Sequence, residues 1–309
     1  LGNILKDLGK LKEAELSYRK SIQIKPDFAE AHSNLGIILQ DLGKLKEAEF
    51  SYRKVIEIKP DFEEAYSNLG SILKDLGKLK EAELATRKAI ELKPDFAEAH
   101  YNLGTIFVEL GNLKKAEFSI RKAIKHKPNF AKAHYNLGII LIDLNNLKEA
   151  ELATRKAIKL QPNIADSYSN LGIILQKNGN LKEAELYTRK AIKLNPNYED
   201  AYSNLGVILQ ELGKFKEAEI NLRKAIELNP DFANAYSNLA NTLNNLGEFQ
   251  EGEISARKAI NINPNCQNSH LNLGSLLRNQ GKLKEAELAT RKAIELKPDC
   301  ASAYLNLGG

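Results

Sequence analysis

Residues 29–62 read AEAHSNLGIILQDLGKLKEAEFSYRKVIEIKPDF, and this stretch decides the fold. Its first half sets Ala31, Leu35, Ile38, Leu39 and Leu42 on one side of a helical period; its second half does the same with Leu45, Ala48, Tyr52, Val55 and Ile56. The pattern predicts amphipathic helices near 29–42 and 45–58. Between them Asp41-Leu42-Gly43-Lys44 reads as a tight turn, its glycine in the left-handed conformation that closes a helix. Pro60 ends the second helix, because it lacks an amide hydrogen and drives Lys59 towards extended backbone. Asp61, with Glu64 three residues on, is the expected cap of the next helix.

The same unit fills the chain. All nine prolines stand 34 residues apart, from Pro26 to Pro298, and none lies elsewhere. The asparagines Asn34, Asn68, Asn102, Asn136, Asn170, Asn204, Asn238, Asn272 and Asn306 keep the same step. One array is therefore expected over 1–309, with full units 29–62, 63–96, 97–130, 131–164, 165–198, 199–232, 233–266 and 267–300 between partial units 1–28 and 301–309. Where the turn glycine is missing its substitute is Asn145, the residue that best tolerates the left-handed region after glycine.

His32-x-x-Leu35-Gly36-x-x-Leu39, Ala48-x-x-x-Tyr52 and Pro60 together resemble the tetratricopeptide repeat, and the resemblance covers the whole chain. It implies an all-α fold, a right-handed superhelical α-solenoid of 34-residue helix-turn-helix units that bury their faces only against neighbours. The sequence departs from the pattern in having no Trp, with His or Tyr at the large aromatic position, and in placing Thr86, Thr154, Thr188 and Thr290 where Tyr52 stands. The ends carry apolar residues such as Leu1, Ile4 and Leu307 with no polar capping helix. A fragment of a longer array is expected from this, with end-to-end self-association through the uncapped terminal units.

The chain carries 45 Lys+Arg against 40 Asp+Glu, for a net +5, and is 43% hydrophobic, a balance that supports a packed core and argues against disorder. The near-balance falls short of a nucleic-acid footprint: Arg-Lys dipeptides such as Arg53-Lys54 recur, but neighbouring glutamates cancel their field. No apolar run approaches the ~18 residues that a bilayer helix needs, so no membrane partner is expected. Cys266 and Cys300 are a full unit apart, beyond disulfide reach, and read as free thiols of a reducing cytoplasm.

Chemistry-bearing residues follow the repeat. His32, His100, His134 and His270 share one position with tyrosines, and a spacing of ~10 Å between equivalent residues is too great for a shared metal. No Gly-rich phosphate loop or Ser/His/Asp set stands out, so neither catalysis nor a cofactor nor a metal is expected. Glu15 with Arg19, Glu49 with Arg53 and Glu83 with Arg87 form i,i+4 pairs worth ~0.2–0.5 kcal/mol each, as on a solvated helix face.

The asparagine row has two readings. Asn costs ~0.5 kcal/mol or more against Ala in a helix interior, and recent duplication would copy one neutral asparagine nine times. A binding role instead retains the row while Ile37, Ser71, Thr105, Val207 and Asn241 vary three residues on. A carboxamide sets a donor beside an acceptor, matching a peptide backbone, so the expected partner is an extended polypeptide on the concave face. At ~10 Å per unit and ~3.3 Å per residue, nine positions track on the order of 25 residues. Acids at Glu30, Glu64, Glu98, Asp166 and Asp200 and at Asp7, Asp41, Asp75, Asp143 and Glu211 have two readings, a preference for basic ligands or, for the first set, helix capping, which explains it at least as well; the acidic character fades towards Asn241 and Asn245.

The Asn-Leu-Gly setting is similar to the superhelical repeats of protein O-linked N-acetylglucosamine transferases, whose lumenal asparagines match Asn34 through Asn306. That resemblance implies peptide-backbone clamping by these residues, and an alternative role as the substrate-binding arm of such an enzyme with its catalytic domain beyond residue 309. One unit departs twice from the rest, with Ala240 for glycine and Gly252 for alanine. The two changes are expected to be a reciprocal exchange of a methyl group between touching positions.

Overall fold

The computed structural model of the chain describes residues 2–299 together with Ala301 and Tyr304. The expectations placed on Leu1, Cys300, Asn306 and Leu307 lie outside the described residues. Every described element is a helix, and the helices fall into two compact units, 1–160 and 161–309. The first holds α1 (Gly2–Asp7), α2 (Leu11–Ile24), α3 (Ala29–Asp41), α4 (Leu45–Ile58), α5 (Glu63–Asp75), α6 (Leu79–Leu92), α7 (Ala97–Glu109), α8 (Leu113–His126), α9 (Ala131–Asp143) and α10 (Leu147–Leu160). The second holds α11 (Ala165–Lys177), α12 (Leu181–Leu194), α13 (Glu199–Glu211), α14 (Phe215–Leu228), α15 (Ala233–Leu246), α16 (Phe249–Ile262), α17 (Gln267–Asn279) and α18 (Leu283–Leu296).

The helix periods read from the sequence match these elements to within a residue, and the turn chemistry holds. Gly43 has φ +73°, and Asn145, standing where the other turns have glycine, has φ 57°. The capping expectation is corrected. The residue before α5 is Phe62, with no side-chain capping bond, so Asp61 sits one position too early to act as N-cap. The backbone closes this turn instead, Phe62 N–H donating to the Lys59 carbonyl at 3.2 Å. Where asparagine replaces that lysine, its Oδ1 accepts a second bond two residues on, as Asn195 does from Asn197 N–H at 3.1 Å.

Within each unit the helix pairs stack as an α-solenoid. Fully buried alanines such as Ala48, Ala82 and Ala116 let paired helices approach closely, and Leu35, Ile38, Leu39, Leu69, Ile72 and Leu73 fill the first unit's core. First helices of successive repeats touch directly, α5 on α7 and α13 on α15 on α17, so the first-helix layer is the tighter of the two.

The departure at Ala240 and Gly252 resolves into two separate exchanges. The residues are neighbours: a Cβ built on Gly252 would stand 3.4 Å from the Ala240 carbonyl oxygen. Their methyl groups, however, answer to different partners. Glycines at the Ala240 position face the residue sixteen further on, and a Cβ on Gly70 would come 2.1 Å from Thr86 Oγ1. In the exceptional repeat that residue is Ala256, small enough to leave room, and it shares a core cluster with Ala240. Gly252 instead makes room for Leu276 of the next repeat, whose Cδ2 would lie 2.6 Å from an added Cβ.

Candidate functional site

The asparagines from Asn34 to Asn272 all lie on first helices, and all are half-buried. A lone helix gives Asn no reason to be there, but the neighbouring helix does. Asn102 Nδ2 donates to the carbonyl and the Oγ of Ser67 on the preceding first helix, at 3.3 and 3.1 Å. Asn136 donates to the Tyr101 hydroxyl at 3.0 Å, Asn204 to Ser169 Oγ at 3.2 Å, and Asn272 to the Ser237 carbonyl at 2.9 Å. Each bond reaches back 35 residues and ties one rung to the last. These bonds offset the helix propensity cost at four positions and fix the carboxamide, its nitrogen turned inward to the stack. On Asn102 and Asn272 both bonds engage Nδ2, which leaves the acceptor Oδ1, rather than the paired donor and acceptor expected from composition alone; Asn204, with one bond through Nδ2, keeps its second N–H as well.

A second row runs one turn-pair further along the same helices. Lys74 bridges Asp75 at 2.9 Å and Glu109 of the next first helix at 3.3 Å, and Gln176 donates to Glu211 at 2.6 Å. Asn279 donates to Asn244 at 2.8 Å where the acids have given way to amides. At the other end of the layer burial pushes the Asp200 carboxyl up, with Glu199 and Asp166 adding like-charge repulsion.

The histidines have a structural task. Nε2 of His32, His100, His134 and His270 meets the carbonyl of Pro26, Pro94, Pro128 and Pro264, each at 2.9 Å. A carbonyl only accepts, so these rings carry the proton on Nε2 and lock the loop entering the repeat. No group of three metal-capable side chains forms among the described residues.

The glutamate row differs from the solvated face expected for it. The i,i+4 pairs form, with Arg53 on Glu49 at 2.8 Å, but Glu49 also receives Lys78 of the next repeat at 2.9 Å, and its side chain is only 12% exposed. Burial pushes the Glu49 carboxyl up, but the two cations outweigh it and hold the group below the ordinary carboxylate range. Glu15 with Lys44, Glu185 with Lys214 and Glu253 with Lys282 repeat the arrangement. Sequence reading missed these contacts because the lysine lies 29 residues away, outside any helical period; its recurrence 34 residues on was the available signal.

A family model described as the C-terminal tetratricopeptide domain of cilia and flagella-associated protein 70 matches residues 62–268, and tetratricopeptide-repeat models match 2–43, 29–62 and 268–300. The chain belongs to this tetratricopeptide-repeat family. Every described element is a repeat helix, and the described residues hold no second, catalytic fold. No curated protein matches the sequence. Among solved tetratricopeptide structures, the Cut9–Hcn1 hetero-tetramer of the APC/C aligns with a TM-score of 0.69 at 17% identity, over 96% of this chain and 58% of that one. The chain thus spans little more than half of that relative. Pseudomonas aeruginosa pilF aligns at 0.60 and 20% identity, over 67% of this chain and 94% of its own. YrrB, described as a TPR protein with an unusual peptide-binding site, aligns at 0.52 and 28% identity, over 60% of this chain and 95% of its own.

Proposed function

We propose that this protein is an interaction scaffold whose first-helix layer, the concave one, holds an extended polypeptide through the asparagine row. The observation that carries the reading is the fixed carboxamide: with Nδ2 of Asn102 held by Ser67, Oδ1 is oriented to accept from a backbone N–H. Asn272 is held alike by the carbonyl and hydroxyl of Ser237. The likeness to YrrB, a peptide-binding relative at 28% identity, supports the same class of partner. Four rungs in the first unit, at ~10 Å each, track about ten to twelve residues of extended chain. The asparagine setting that resembles O-linked N-acetylglucosamine transferases belongs to this reading; a catalytic sequence following residue 309 in the parent gene would make the scaffold a substrate arm.

Backbone N–H recognition is tested by N-methylation, which removes the donor and leaves every side chain in place. Calorimetry on matched peptides with and without alternate N-methyl groups should show the methylated set binding more weakly. Asn102→Ala with Asn136→Ala should erase that difference. Equal affinities for both sets on the wild-type chain would exclude the ladder.

A further inference from the structure

Every second helix presents a large apolar residue to solvent. In the first unit these are Leu16, Phe50, Leu84, Phe118 and Leu152, from 63% exposed at Phe50 to 69% at Leu84, with equivalents at the same step in the second unit. Lysines stand one helical turn to either side: Lys46 and Lys54 around Phe50, Lys114 and Lys122 around Phe118, Lys148 and Lys156 around Leu152. An apolar line thus crosses successive second helices between two lines of cations.

Grooves open beside that line because successive second helices stand apart. The one between α8 and α10 has a volume of ≈ 480 Å³, a floor of Leu137 and Leu141 from α9, walls of Ile124 and Leu152, and Lys125 and Lys156 at its rim. Similar grooves, ≈ 460 and ≈ 500 Å³, separate α2 from α4 and α4 from α6. Their charge differs. On α4 and α6 three basic residues meet three acidic ones, and Lys54 and Lys88 are tied to Glu57 and Glu91 at 2.6 and 2.8 Å. On α8 five basic residues meet one acidic, on α10 four meet two, and Lys125 and Lys159 replace those partner glutamates. Arg121 is satisfied by Glu117 and Glu149, so the lysines are what a partner meets.

We propose that the groove between α8 and α10 docks an amphipathic helix of another protein, apolar along one edge and acidic on both flanks. The leucine floor selects hydrocarbon over phosphate, and the lysine lines select anionic flanks. A second copy of this chain would bring lysine lines against lysine lines. Docking here uses the second-helix layer and does not depend on the asparagine row.

The probe is a synthetic helix of roughly 22 residues, three heptads with leucine on one edge and glutamate on both flanks, beside a twin with lysine for glutamate. Fluorescence anisotropy with the full chain should give saturable binding for the glutamate peptide only. Leu152→Glu and Lys125→Glu, both at exposed positions lining the groove, should each weaken it about tenfold while helicity is retained, and Asn102→Ala should leave it unchanged. No saturation by about 1 mM, equal binding of the lysine twin, indifference to both substitutions, or binding of phosphatidylserine vesicles in place of the peptide would each overturn the proposal.

Discussion

Gly252 lies against Leu276 so closely that a methyl group on the glycine would stand 2.6 Å from the leucine's Cδ2. Elsewhere, apart from Thr242 after Ala218, the residue 24 positions on is isoleucine, as Ile72 after Ala48 and Ile106 after Ala82, all four in one core cluster. Gly252→Ala is therefore expected to overpack and cost ~1–3 kcal/mol, and adding Leu276→Ile to recover most of it. A double-mutant cycle in urea unfolding measures the coupling. Rescue by Ala240→Gly instead would show the pairing drawn here to be wrong.

The companion exchange predicts that a second repeat can be converted. Gly70→Ala should lower the melting temperature, because the new Cβ would sit 2.1 Å from Thr86 Oγ1. Thr86→Ala in the same chain should restore it, reproducing the Ala240 and Ala256 pair. Additive losses in thermal unfolding would refute the contact.

Acid sensitivity should trace to the inter-repeat carboxylates. Hydrogen bonding from Lys282, against the cost of burial and with help from Arg257 and Gln280, holds the Glu253 carboxyl down at about 2, below its ordinary 4.5. The folded chain thus binds this proton more weakly than the unfolded one. The stabilisation is complete above about pH 4.5 and is lost as pH falls towards 2. Glu253→Gln should lower the melting temperature at pH 7, and the gap from wild type should close across that window. A gap that stays constant down to pH 2 would contradict the assignment.

The asparagines should differ in their effect on stability. Asn102→Ala forfeits the bonds to Ser67 and is expected to cost ~0.5–1.5 kcal/mol, less the ~0.5 kcal/mol that alanine returns through helix propensity. Asn34, whose side chain makes no hydrogen bond among the described residues, should tolerate alanine with no loss. Thermal unfolding of the two variants side by side checks the order.

What the sequence made legible was what depends on local geometry. The helix pair, the left-handed turn at Gly43 and its replacement by Asn145 follow from period and backbone sterics within a few residues. Asp61 misled because its composition suits a cap while the chain places Phe62 at the helix entry. The asparagine row was visible as a pattern, yet its polarity was not, since Ser67 and Tyr101 reach Asn102 and Asn136 only once helices 35 residues apart are stacked. The lysine on Glu49 was hidden for the same reason, and so was the identity of Leu276 as the neighbour of Gly252.

The rung bonds of 35 residues and the carboxylate clasps of 29 share a property beyond their strength. Each closes a loop of nearly the same size, so the entropic toll of adding a repeat is the same wherever the repeat sits within its unit. Folding can start at any pair and spread outward like a zipper, with no distant strand or terminus to wait for. Its rate should accordingly be set by the weakest single interface, and hardly at all by how many repeats the chain contains.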